Sequence, residues 1–122
     1  MKPPRWTKDQ WETASLLLIV RSGNRCEVCW KPLRQSDEVA RHHRQRRGVG
    51  GDRLSNLLLI HGNCHRSIHS TPELARDRGW IVSAYEPDPA AVPIPTPSGR
   101  VLLDDAGETR TLPTERTSAE TP

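Results

Sequence analysis

The five histidines and three cysteines of this 122-residue chain all fall between Cys26 and His69, a clustering that ordinary core or surface usage does not produce. Cys26, Cys29, His61 and Cys64 form two pairs of the same x-x spacing, and they offer the thiolate and imidazole ligands that tetrahedral structural zinc takes. A closed Cys3His zinc site is expected there. The segment Gly23-Asn24-Arg25-Cys26-Glu27-Val28-Cys29-Trp30 has the short turn composition of a zinc knuckle. An odd cysteine count in this pattern suits metal better than disulfides, and a reducing, cytoplasmic compartment with it.

The second set is His42, His43, His65 and His69. His65 and His69, four apart on a helix, stack on one face and can hold a common ion. His42 and His43 are adjacent in what reads as a strand, so their side chains point to opposite sides. One can then ligate metal while the other faces a substrate water, the division of labour that a hydrolytic site needs.

These residues must be positioned by a small α+β unit. Thr7 and Gln10 stand in the capping-box relation and Gly23 supplies a stop, which predicts a helix from Thr7 to about Val20 with Trp11, Ala14, Leu18 and Ser15 on one face. Glu38 to His43 and Leu57 to Ile60 read as two short strands, separated by an Arg- and Gly-rich loop. A helix should run from about Gly62 to Ser70, and a shorter one from Thr71 at the N-cap and Pro72 at N1 to Gly79. The core is therefore ββα, spanning residues 23–80 behind an N-terminal helix at 1–22. Seven of the eleven prolines follow Tyr85, so residues 81–122 read as a Pro-rich, acidic and partly disordered extension without a continuous core. Within it, Gly99 to Leu103 and Glu108 to Leu112 flank the turn Asp104-Asp105-Ala106-Gly107 and predict a weak two-stranded ribbon before a frayed tail.

Charge is uneven along the chain. Residues 1–80 carry 15 Lys and Arg against 8 Asp and Glu, while residues 81–122 carry 3 against 7. The basic part is where a polyanion would bind. The apolar runs are far too short to span a bilayer, and no secretory signal is evident, so no membrane partner is expected.

The paired His42-His43, followed by Asn56, His65 and His69, with a Cys-x-x-Cys knuckle whose second ligand pair precedes His65, resembles the HNH endonucleases, the His-Me finger family with a ββα-metal core. The resemblance covers about residues 23–70 and extends, less specifically, to Gly79-Trp80-Ile81-Val82-Ser83, which looks like the region after this core in small bacteriophage HNH proteins. Two positions depart from the family's pattern: His61 stands where a cysteine is usual in members with the knuckle, and His42 where aspartate is common. The resemblance implies that His43 is the general base, that Asn56 fixes the loop or the imidazole orientation, and that His42, His65 and His69 bind the catalytic metal. It further implies DNA as partner and substrate, the bacterial host cytoplasm as location, and a nicking role beside a phage terminase.

Physical chemistry agrees with these roles. An imidazole with the ordinary pKa of about 6.5 is partly neutral at pH 7 and can take a proton from water, a contribution of roughly 10² to 10⁴ in rate. A dication at the phosphate and the departing 3′ oxygen would neutralise charge growing in the transition state. Three imidazoles are not the set that magnesium selects. They suit manganese, cobalt, nickel or zinc better. The cluster Arg41, Arg44, Arg46, Arg47 and Arg53 adjoins the proposed base, and guanidinium forks match phosphates, so these five are expected to contact DNA. Two other classes fit parts of the pattern. A noncatalytic zinc-dependent DNA-binding module would use the Cys3His site and the arginines but not a second histidine set, and a packaging accessory protein would be compatible with the acidic tail.

Overall fold

The computed structural model describes residues 2–113. Helix α1, Lys8–Ser22, starts at a capping box, in which the Thr7 side chain accepts from the Gln10 amide at 3.2 Å and the Thr7 amide donates to Gln10 Oε1 at 2.8 Å. It stops at Gly23, whose φ of 65° closes the last turn in the left-handed region that glycine enters freely. The expected face is the one buried: Ala14 and Leu18 pack against Leu54, Leu57 and Leu59, with Trp6 and Trp11 closing the edge.

Strand β1, Val39–His43, pairs antiparallel with β2, Leu57–His61, so that His43 lies opposite Leu57 and Val39 opposite His61. The alternation of β2 serves two cores: Leu57 and Leu59 join α1, whereas Leu58 and Ile60 face a second cluster with Cys26, Ile68 and Ala75. An all-apolar strand is what a position between two layers requires. The knuckle is tied to β2 through Glu27, whose amide donates to the Leu59 carbonyl at 2.8 Å and whose carboxylate accepts from the Leu59 amide at 2.9 Å. That carboxylate is forked with Arg21 at 2.7 and 2.9 Å, both side chains being about 1% exposed. Arg21 also donates to the Leu54 and Leu57 carbonyls, so the buried pair is fully hydrogen-bonded.

Between the strands the chain forms a short helix α2, Arg47–Gly50, and a 3₁₀ turn at Leu54–Asn56. Helix α3, Gly62–Ser70, and helix α4, Pro72–Asp77, complete the ββα unit. Thr71 precedes α4 as expected, but its hydroxyl donates back to the Ser67 carbonyl at 2.8 Å instead of capping α4.

The C-terminal part departs from the sequence expectation. The hairpin of β4, Gly99–Leu103, and β5, Thr109–Thr111, forms around the Asp104 turn, but a third strand, β3 at Ile94–Thr96, pairs on the other side of β4. Ile94, Val101 and Leu103 join the cluster of Cys26, Leu58 and Ile60, so a continuous core does reach this segment. Pro95 is tolerated because β3 is an edge strand, where one amide per pair of residues points away from the ladder. The frayed tail expected further on lies outside the described residues.

Arg44 is the tie between the two parts. Its guanidinium donates to the carbonyls of Ser55, Gly79, Pro89 and Val92, and the residue is 2% exposed. The sequence expectation that Arg44 contacts DNA is therefore corrected: its donors are spent inside the protein, and no phosphate can reach them. Burial lowers its pKa to about 10, which still leaves it charged at neutral pH.

Candidate active site

The knuckle turn and the β2–α3 junction bring together the Cys26, Cys29, His61 and Cys64 ligand atoms, all within 4.8 Å of one another. A tetrahedral site with zinc–sulfur bonds of about 2.3 Å has sulfurs roughly 3.8 Å apart, so the set is of the right size. The amides of Cys29 and His61 point at Cys26 Sγ at 3.5 and 3.4 Å. Burial alone would raise the Cys26 thiol, but these amides outweigh it and bring its pKa down to about 7. Cys64 is pushed up to about 12 by burial and by the charge of Cys26, a repulsion that a dication at the centre relieves. His61 presents Nδ1 to Cys29 Sγ at 3.4 Å and donates from Nε2 to Asp37 Oδ2 at 3.1 Å. Its pKa rises to about 9, first through Cys29 and against burial, with Asp37 adding to the effect, so zinc uptake here releases a proton. Asp37 is the carboxylate that orients the imidazole, a role that the sequence reading did not assign. The donor set and its backing fit zinc.

The second centre lies one residue further along α3. Cys64 and His65 are neighbours on this helix, yet Cys64 faces the knuckle and His65 faces His69 and His42. The three imidazoles place one ligand nitrogen each within 4.8 Å of one another, and the Nε2 atoms of His65 and His69 are 3.2 Å apart. His42 is buried and donates from Nε2 to the Trp80 carbonyl at 2.7 Å, which leaves its Nδ1 lone pair free for an ion. Burial lowers His42 to about 4, against the Trp80 bond, and its His65 and His69 neighbours add to the fall. Burial and His69 lower His65 as well. Neutral imidazoles at pH 7 are the ligating form, so the set fits a divalent ion of the nitrogen-preferring kind.

His43 projects from the opposite side of β1, as strand alternation requires. Its Nε2 lies 2.8 Å from Asp52 Oδ1, and its ring meets the edge of Trp11 with centroids 5.9 Å apart. Asp52 is itself held by the Trp6 amide at 2.8 Å and by Arg47 Nε at 3.2 Å. Burial would raise the Asp52 carboxyl, but the Trp6 amide, the His43 ring and the Arg47 charge hold it below the usual range. Asn56 is fully buried and makes no hydrogen bond to either histidine of β1. Its Oδ1 accepts from the Gln45 amide at 2.8 Å, while its Nδ2 donates to the carbonyls of Gln45 and Gly51. Of the two roles expected for it, the hydrogen bonds match that of pinning the loop, at both ends of the segment carrying Arg46 and Arg47.

The remaining arginines divide into two groups. Arg41, Arg46 and Arg47 are exposed, and Arg47 Nε comes within 3.5 Å of His43 Nε2. Arg41 stacks over Trp11 at 4.6 Å and Arg47 lies 5.9 Å from the same ring. Arg53 instead bridges Asp88 at 3.0 Å and Asp105 at 2.9 Å, so most of its charge is met within the protein. Asp105 also accepts from the Ser55 amide and hydroxyl, which fastens the β4–β5 turn to the 3₁₀ turn.

Among the described residues no helix is long and apolar enough to cross a membrane. No curated protein and no solved structure matches the chain. Residues 26–71, from the first cysteine of the knuckle to just past the end of α3, match the model of the HNH endonuclease family.

Proposed function

We propose that this protein is a metal-dependent endonuclease that hydrolyses DNA phosphodiester bonds, with His43 as general base. The observation that carries the reading is the pairing of two roles on adjacent residues of β1: His42 joins His65 and His69 of α3 in a three-imidazole cluster, and the neighbouring His43 is backed by a carboxylate. His42, His65 and His69 would hold a divalent ion, which when bound would supply Lewis-acid stabilisation of the charge that develops during cleavage. His43 takes the proton of the attacking water. Arg41, Arg46 and Arg47 hold the flanking phosphates, and Trp11 keeps Arg41 extended over its ring. The Cys3His set would hold a structural zinc, which when bound would keep the start of α3 in place.

The finer role is nicking during bacteriophage DNA processing beside a terminase, and it is supported by the resemblance of residues 23–70 and of the Gly79–Ser83 stretch to small phage HNH proteins. The deciding experiment is cleavage of supercoiled plasmid by wild type and His43→Ala, each with chelator and with added manganese, nickel or magnesium. Metal-dependent nicking by wild type alone supports the proposal. DNA binding with full zinc content but no cleavage in any metal sinks it and leaves a binding module.

A further inference from the structure

We infer that Asp52, anchored by the backbone N–H of Trp6, is the positioning residue that selects the reactive tautomer of His43. The inference rests on the reading of His43 as the base. Asp52 is the only acidic residue between Glu38 and Glu73, and its side chain is 1% exposed. A buried carboxylate persists only where its oxygens are met by donors. Here Oδ2 takes the Trp6 amide and Oδ1 the His43 ring, with the Arg47 guanidinium ion-paired to Oδ1 at 3.2 Å.

The ring contact fixes a proton. An ionised carboxylate only accepts, so the 2.8 Å contact requires the hydrogen on His43 Nε2 and leaves the lone pair on Nδ1. Arg47 Nε–H is aimed at His43 Nε2 at 3.5 Å, the long limit of a hydrogen bond, and is ion-paired with Asp52 Oδ1 at 3.2 Å; the 2.8 Å carboxylate contact is the shorter and charge-assisted one, and it keeps the hydrogen on His43 Nε2. Nδ1 is thus the atom that receives the water proton. This arrangement is the carboxylate–imidazole logic of hydrolytic triads, in which the acid orients the base without taking its proton.

The anchor comes from outside the matched segment. Trp6 lies before α1, Pro3 packs against Gly51 beside Asp52, and Trp11 of α1 meets the His43 ring. The N-terminal segment therefore belongs to the working site and is more than a cover on the core.

The test uses full-length, zinc-loaded protein with ¹⁵N-labelled histidine. Long-range ¹H–¹⁵N correlation of wild type at a pH where the ring is neutral should show His43 as the Nε2–H tautomer, and Asp52→Asn should lose that preference. In plasmid nicking, Asp52→Asn should lower kcat about 10- to 100-fold, the range for an orienting partner, with KM little changed. An Nδ1–H tautomer in wild type overturns the inference. So does wild-type turnover by a folded Asp52→Asn alongside inactive His43→Ala, a result that leaves the nuclease reading intact. If wild type fails to cleave, the nuclease reading falls, and the tautomer alone decides what Asp52 does to His43. The same measurement decides if Asp52→Asn does not fold.

Discussion

Replacing Arg44 by methionine removes a buried guanidinium while keeping most of the side-chain volume, so the change reads the polar contribution with little cavity. Four carbonyls lose a donor: those of Ser55, Gly79, Pro89 and Val92. Pro89 keeps a second donor in the Val92 amide, which leaves three carbonyls dependent on entering water. At about 1–3 kcal/mol for each buried group left unpaired, the gross cost is roughly 3–9 kcal/mol. Relief of the guanidinium's own desolvation offsets part of that, so a net loss of about 3–5 kcal/mol is expected. The assay is urea unfolding at saturating zinc, scored by the shift in midpoint at constant slope. The partner measurement is the salt dependence of DNA binding. Arg44→Met should leave its slope unchanged, whereas Arg46→Ala should reduce it by about 0.9 for each phosphate that the arginine neutralises. An Arg44→Met protein of wild-type stability with a flatter salt slope would refute the buried role and restore Arg44 to the DNA-facing set.

His43→Ala should lower plasmid nicking by roughly 10² to 10⁴ while zinc content and catalytic-ion affinity hold; loss of the catalytic ion, read by calorimetric titration, would exchange its role with that of His42. Cys26→Ser should abolish folding of the knuckle, because structural zinc contributes about 10–16 kcal/mol of apparent binding free energy in small peptides, and circular dichroism with zinc titration checks it. Three imidazole ligands predict higher turnover in manganese, cobalt or nickel than in magnesium, and equal or better rates in magnesium alone would contradict the ligand set. Asp105 is partly desolvated, which raises its pKa, but its bonds to Ser55 and Arg53 lower it overall. The folded form thus has the lower pKa, so the contribution is present above the ordinary value of 3.8 and is lost as pH falls below it. Asp105→Asn should be less stable by about 1 kcal/mol at pH 7, a figure discounted for the exposure of the pair, and the gap should close in acid-side unfolding scans.

The features legible in the sequence are those set by local spacing. The Thr7–Gln10 capping box, the Gly23 stop and the apolar run Leu57–Ile60 each act within a few residues, and the helix and strand formed where they pointed. The two histidine and cysteine sets were legible because ligand spacing follows from helix and strand periods. Long-range polar pairing was not. Arg44 sits in a run of arginines that reads as a solvated loop, and only the fold brings four distant carbonyls to it. Asp52 and Asp37 back their histidines across a loop, although a lone acid amid the arginines was a signal in plain view. The third C-terminal strand was hidden by its prolines, which count against a central strand but not an edge.

Cys64 and His65 are consecutive on α3 yet serve different centres. A helix advances about 100° per residue, so the angle between the two centres as seen down the α3 axis is that of one backbone step. With an ion on the Cys3His set, the knuckle would act as a gauge for the other cluster, clamping the first turn of α3 and setting the azimuth at which His65 and His69 meet His42. A single residue inserted between positions 64 and 65 would leave every ligand present and turn the two centres out of phase.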